Sequence, residues 1–333
     1  MSEKCLIIAE AGVNHNGNVD MAFRLCDAAK EAGADVIKFQ TWKTDLIITR
    51  NVAQAEYQRE NTGVSESQYD MLKKLELTQD EFRRIKEYCD SIGITFASTA
   101  DESESLDFLI SLGIPFIKIG SGEIGNISYL RYMGSKKMPI ILSTGMSSLA
   151  DIDISLQALR EGGATDITLL HCTTSYPCAF ENVNLNAMST IREAFKLPVG
   201  YSDHTLGNTV AVAAVAMGAR VIEKHFTLDK DMEGPDHKAS SNPEEFSALV
   251  REIRNIEAAM GTGIKEATPI EKEISRVVIK RIVAKRPIKE GQIIREEDIC
   301  VKRNDIGLTC NKWDIVLGTK ARRDYSIDEG IEL

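Results

Sequence analysis

The sequence predicts a closed parallel (β/α)8 barrel followed by a small β-rich module, and three observations point there. Short β-rich runs alternate with amphipathic helical patterns about eight times before residue 262. That many βα units within 333 residues favours a closed barrel over an open sheet. Ionisable and hydroxyl side chains recur at the carboxyl ends of those runs. A barrel gathers such ends around one mouth, whereas an open sheet spreads them along a line.

The strand runs are Cys5–Glu10, Asp35–Gln40, Ile94–Thr99, Phe116–Ser121, Pro139–Thr144, Ile167–Cys172, Pro198–His204 and Arg220–Phe226. Each is followed by a helical pattern, and two of the helices carry clear punctuation. The first starts after Asn18 as N-cap, places Met21, Leu25, Ala28, Ala29 and Ala32 on one face, and stops at Gly33. The last has Asn242 as cap, Pro243 at N1 and two glutamates in its first turn. Phe246, Leu249, Ile253, Ile256 and Met260 follow, then Gly261. The expected domains are therefore a barrel over 1–262, a linker over 263–275 with room for one helical turn, and a β-rich unit over 276–333. The last is too small to bury much core and is expected to lean on a partner surface. Its turn signals are Lys289–Gly291 and Asp328–Gly330.

Composition narrows the function. A hydrophobic fraction of 43% and a charged fraction of 27% are those of a soluble globular protein. No apolar run approaches the roughly 18 residues of a membrane span, and no signal-peptide pattern is present, so a cytoplasmic protein without a membrane partner is expected. The seven cysteines are scattered, without CxxC spacing, which fits a reduced compartment. Cys172, beside His171, reads as a small buried thiol near the site. A net charge of −10 argues against a nucleic-acid surface, so an anionic substrate must be held by a few local cations.

The most informative motifs are SDHT (Ser202–Thr205) and EKHFT (Glu223–Thr227). Strand side chains alternate with period two, so Ser202 shares a face with His204 and Glu223 shares one with His225. On adjacent strands the two imidazoles converge. Two nitrogens completed by water or substrate oxygen suit Mn²⁺, Co²⁺ or Mg²⁺ better than a closed zinc site. A lone strand histidine is more often packed or capped, and it is the matching depth of the pair that points to a divalent metal. Lys38 and Lys118 point inward on separate strands, near Ser121, Ser143 and Ser202, and the loop Gly120–Gly122 offers backbone N–H groups. This set would hold a phosphate or carboxylate. The competing reading pairs the lysines structurally with Glu10 or Glu123. Those two glutamates are the candidates for acid–base work, and periodicity does not choose between them.

The ordered motifs AEAGVNHNG (Ala9–Gly17), KFQ (Lys38–Gln40), KIGSGE (Lys118–Glu123), ILSTGM (Ile141–Met146), HCTTSYP (His171–Pro177), YSDHT, EKHFTLD and GPDHKAS (Gly234–Ser240) resemble the sialic acid synthases along essentially the whole chain. The resemblance includes a C-terminal antifreeze-like (SAF) module. It implies a synthase that joins phosphoenolpyruvate to an N-acetylated mannose-type aldehyde, with C–O cleavage and release of phosphate. It places metal ligation at His204 and His225. Phosphoenolpyruvate binding falls at Lys38, Lys118, Ser121, Ser143 and Ser202, and sugar contacts at Gln40, Thr99, Glu123, Tyr176 and Asp236. Glu10 matches a proposed acid/base. It further implies a homodimer in which Arg303 of the SAF module reaches the partner's barrel mouth, although Arg303 by itself reads as a solvated arginine.

Three positions depart from the resembled pattern. Thr174 stands where several relatives have Asn, at a phosphoenolpyruvate contact. Ser98-Thr99-Ala100-Asp101 replaces STPF, exchanging a proline and an aromatic for a carboxylate beside the sugar pocket. Asn304 stands where proline often follows the arginine. KFQ and the GPDHKAS loop look nearest the N,N′-diacetyllegionaminate synthases, which use 2,4-diacetamido-2,4,6-trideoxymannose. The alternative is an N-acetylneuraminate synthase using N-acetylmannosamine. More distant alternatives are a 3-deoxy sugar acid synthase, a metal-dependent aldolase, and a non-catalytic carbohydrate- or ice-binding protein.

Overall fold

The computed structural model describes residues 4–54, 59 and 66–333. They divide into two compact units, 1–262 and 263–333.

The first unit is a closed barrel of eight parallel strands in sequence order: β1 Leu6–Gly12, β2 Val36–Thr41, β3 Thr95–Ala100, β4 Ile117–Ile119, β5 Ile140–Ser143, β6 Ile167–Cys172, β7 Val199–Asp203 and β8 Val221–His225. Closure is made by β1 on β8, where Glu10 pairs with His225. Period-two alternation sorts every strand into two faces. Outward residues such as Ile7, Ile37, Phe96, Leu142 and Leu169 join the large core under the helices. Inward residues make two tiers. Ile8, Val36, Ala97, Phe116, Ile141, Leu170 and Val221 pack into an apolar floor inside the barrel. Two residues further along the same faces come Glu10, Lys38, Thr99, Lys118, Ser143, Cys172 and Glu223, the polar tier. Gly200 supplies no side chain to the floor: a Cβ there would lie 2.6 Å from Leu170 Cδ2 and against the Val221 carbonyl oxygen.

The helices follow their local signals. Asn18 accepts hydrogen bonds from the Asp20 and Met21 N–H groups and caps Val19–Glu31. Thr78 and Glu81 form a capping box on Gln79–Ile92, which ends at Gly93 with φ 73°. Asn242 and Glu245 do the same for Pro243–Met260, whose Phe246, Leu249 and Ile253 are buried. Met260, expected on that apolar face, is exposed, because the last turn runs past the core. Strand β4 is shorter than the expected Phe116–Ser121: Ser121 begins a 3₁₀ turn, Ser121–Glu123, that lifts it out of the ladder.

In the second unit β9 (Lys280–Ala284) pairs antiparallel with β10 (Ile299–Arg303). Ile282, Ala284, Ile288, Ile294, Ile299, Val316, Ala321, Tyr325 and Ile331 form its own small core. The stretch 263–275, expected to be a linker, instead contributes to a ten-residue helix, Pro269–Val278. Its start has a full capping box, Thr268 with Glu271, and Pro269 in the first turn. Ile270, Ile274, Val277 and Val278 on this helix are all exposed. Among the described residues, no helix is long and apolar enough to cross a membrane.

Candidate active site

The polar tier opens at the carboxyl ends of the strands into a cavity of about 220 Å³. Its wall brings together Glu10, Lys38, Gln40, Thr99, Lys118, Ser121, Ser143, Thr174, Tyr176, Ser202, His204 and His225, with Asp101 and Glu223 added. Twelve of the fifteen site residues expected from sequence therefore meet in one place.

Register explains the convergence. Glu10 lies beside Lys38, Gln40 beside Thr99, Thr99 beside Lys118, and Ser202 beside Glu223 across successive ladders. Lys38 Nζ pairs with Glu10 Oε2 and donates to Thr99 Oγ1 at 2.9 Å. Lys118 Nζ donates to Ser143 Oγ at 2.9 Å and lies 3.4 Å from Glu223 Oε1. Ser202 Oγ donates to that same oxygen at 3.2 Å, and Gln40 Nε2 donates to Glu10 Oε1 at 3.0 Å. The two lysines are thus shared between a hydroxyl tier and two carboxylates. The structural pairing is present, with Glu10 as expected and with Glu223 in place of Glu123, and both lysines also line the cavity.

The two glutamates titrate in opposite directions. Burial raises the Glu10 carboxyl, a push that Lys38 opposes without overcoming. Burial also acts to raise Glu223, but Lys118, Lys38 and the two imidazoles hold it well below the usual carboxylate range. Glu10 is the more readily protonated of the pair. Asp101 is pushed up to about 7 by burial and by the Glu123 charge.

His204 and His225 have ring centroids 5.6 Å apart. The Nδ1–H of His204 donates to the Thr173 carbonyl at 2.7 Å, leaving Nε2 as the nitrogen with a lone pair to offer. His225 Nδ1 is buried without a hydrogen-bond partner. Burial lowers both imidazoles, His225 to about 3, so both are neutral and ligand-competent at pH 7. Tyr176 packs over His204 with centroids 4.2 Å apart and meets His225 edge-on at 5.6 Å. Among the described residues no group of three or more His, Cys, Asp or Glu could enclose a metal. A divalent ion would fit here as two protein nitrogens completed by water or substrate oxygens.

Three expected residues lie elsewhere. Asp236 lines an adjoining recess of about 150 Å³ that shares Gln40, Tyr176 and His225 with the main cavity. Burial raises its carboxyl to about 6. Glu123 sits in the 3₁₀ turn, where its carboxylate accepts a hydrogen bond from Asn126 Nδ2 at 2.7 Å and does not line the cavity. Arg303 is an exposed residue at the end of β10 in the second unit. Glu223, noted in the sequence only as a flanking carboxylate, proves to be the hub joining both lysines and Ser202. Its period-two spacing from His225 was the signal.

A polar chamber of lysines, hydroxyls and paired neutral imidazoles at a barrel mouth is where an enzyme of this fold class would hold a small molecule. Comparison with known proteins gives the family. The NeuB family matches residues 25–265 and the SAF domain matches 280–332. The N,N′-diacetyllegionaminic acid synthase of Legionella pneumophila is 45% identical over 98% of this chain and 92% of its own. The enzyme of that name from Campylobacter jejuni is 46% identical over 98% of both chains. Among solved structures, the N-acetylneuraminic acid (sialic acid) synthetase of Leptospira borgpetersenii, in complex with citrate, is 33% identical with a TM-score of 0.73. That match covers 82% of this chain and 90% of the other. The chain belongs to the NeuB family and is an enzyme of the sialic acid synthase type.

Proposed function

We propose that this enzyme condenses phosphoenolpyruvate with 2,4-diacetamido-2,4,6-trideoxymannose to give N,N′-diacetyllegionaminate and phosphate. Mn²⁺ is the preferred metal, with Mg²⁺ or Co²⁺ as substitutes. The carrying observation is the convergence of Lys38, Lys118, Ser143 and Ser202 beside the His204–His225 pair in one cavity. The substrate choice rests on the relatives 45% and 46% identical that are named for this product.

In this reading Lys38 and Lys118, with Ser121, Ser143 and Ser202, hold the phosphate and carboxylate of phosphoenolpyruvate and neutralise them. His204 and His225 would hold the divalent ion, which when bound polarises the acceptor aldehyde as a Lewis acid. The enol carbon forms its bond to the aldehyde carbon, whose oxygen takes up a proton. Water adds to C2, and the tetrahedral species collapses by breaking the bond between C2 and the phosphate-bearing oxygen. Glu10, buried and raised toward neutrality, is the group suited to take the proton of the attacking water. Gln40, Thr99, Tyr176 and Asp236 surround the acceptor. Thr174 completes the phosphoenolpyruvate wall.

We assign the working form as a cytoplasmic homodimer. The exposed apolar residues of Pro269–Val278 support a covered helix face, and Arg303 is the residue that would enter the partner's site. Mixing Arg303→Ala chains with His204→Ala chains then recovers part of the activity; no recovery counts against shared sites.

Phosphate release is the test, with phosphoenolpyruvate, Mn²⁺ and either sugar. Turnover is expected with preference for the diacetamido sugar, lost with chelator and restored by metal. Preference for N-acetylmannosamine overturns the substrate while keeping the reaction. No phosphate release with either sugar overturns the reaction.

A further inference from the structure

Asp101 is a cavity residue with no role in the chemistry above. On β3, Ala97 faces the barrel floor and Thr99 the polar tier, and Asp101 continues that face by the same period of two. Its backbone stays on the ladder, Asp101 N–H donating to the Thr41 carbonyl at 3.3 Å. Among the described residues, no hydrogen bond or ion pair reaches its carboxylate. The charges that act on it are Glu123, Lys38, Glu10 and Glu102, three of the four like-signed. A carboxylate pressed into a wall against like charges is costly to fold around. Residues that break local rules in this way cluster at functional sites.

We propose that Asp101 reads the acceptor sugar, its carboxylate accepting a hydrogen bond from an N–H or O–H of that sugar beside Thr99. This rests on the synthase reading above and adds a specificity residue to it. The chemistry selects the acceptor over phosphoenolpyruvate. Above about pH 7, the value to which burial pushes it, the Asp101 carboxylate is ionised and only accepts hydrogen bonds, so the titrations are run at pH 8. The acylated sugar is uncharged and rich in donors, whereas phosphoenolpyruvate is an anion that an ionised Asp101 repels. The lysines that suit an anion lie deeper, at Ser143 and Glu223. Asp101 also stands where the resembled motif has an aromatic, so this wall reads a donor in this chain.

The experiment measures binding of each partner separately, by titration calorimetry with Mn²⁺, on the wild type, Asp101→Asn and Asp101→Ala. Phosphoenolpyruvate, the diacetamido sugar and N-acetylmannosamine are titrated one at a time, so no turnover intervenes. Both variants are expected to weaken the better-bound sugar by roughly tenfold or more, as loss of a hydrogen bond to a charged group implies. Phosphoenolpyruvate affinity should stay within twofold. Melting temperature should hold or rise, because a buried like charge is removed. In steady state the acceptor KM rises while kcat changes less. Unchanged sugar affinity in both variants overturns the proposal, as does equal weakening of phosphoenolpyruvate or a lowered melting temperature. Absence of phosphate release by the wild type overturns the synthase reading instead, and the sugar titrations still decide Asp101.

Discussion

Glu10 and Lys38 are neighbours across the β1–β2 register and form an ion pair with both side chains almost wholly buried. Removing one partner of such a pair leaves an uncompensated charge at a cost of about 3–5 kcal/mol. Lys38→Met is therefore expected to lose about that much stability in denaturant melts near pH 8. Lys38→Met combined with Glu10→Gln should be more stable than Lys38→Met alone, because no carboxylate is stranded. A double variant as unstable as the single one would show that the pair is not what holds this wall.

Two histidines outside the cavity contribute to the response to acid, against the raised carboxyls of Glu10, Asp101 and Asp236, which act in the opposite sense. His15 and His237 are fully buried, and burial lowers each to about 4 from 6.5. Between those values these histidines bind protons in the unfolded chain that the folded chain refuses, so their contribution to stability rises with pH. It is complete above about pH 6.5 and falls toward pH 4 by about 1.4 kcal/mol per pH unit for each histidine. Replacing His15 by Gln should reduce that slope in chemical melts run from pH 4.5 to 7. An unaltered slope would remove His15 from the account.

Metal binding separates the imidazoles from their surroundings. His204→Ala should weaken Mn²⁺ binding by roughly a hundredfold or more, read as free ion by electron paramagnetic resonance, since even loss of a supporting group around a ligand costs about 10–100-fold. Ser143→Ala should leave Mn²⁺ affinity alone and raise the KM for phosphoenolpyruvate, because Ser143 bonds Lys118 and touches neither imidazole. Weakened Mn²⁺ binding in Ser143→Ala would merge the two subsites.

Gly200 tests the packing of the floor. Alanine there must displace Leu170 or the β8 backbone, so about 1–3 kcal/mol of stability should be lost on thermal melting. A neutral Gly200→Ala would mean that the floor yields more easily than close-packed interiors do.

Much of this site was legible in the sequence because strand alternation is rigid. Once Lys38, Lys118, Ser202 and His204 are placed near strand ends, a barrel leaves them little choice but to meet. Asp236 and Glu123 were harder, since turns carry no fixed period. Glu123 faces Asn126 instead of the cavity. Arg303 is beyond such reasoning, as nothing in its own strand distinguishes it from a solvated residue. The helix Pro269–Val278 carries its signals in the sequence: Thr268, Pro269 and Glu271 are start signals, and Ile270, Ile274 and Val277 repeat at helical spacing, although the dense charges around them read as a linker with room for one helical turn.

The apolar plug formed by Ile8, Val36, Ala97, Phe116, Ile141, Leu170 and Val221 closes the chamber from below, as the bottom of a well. Traffic in a blind well is last in, first out. A sugar seated near Asp101 would close over an enol phosphate beneath it, and the order of arrival would be written into the depth of the lysines.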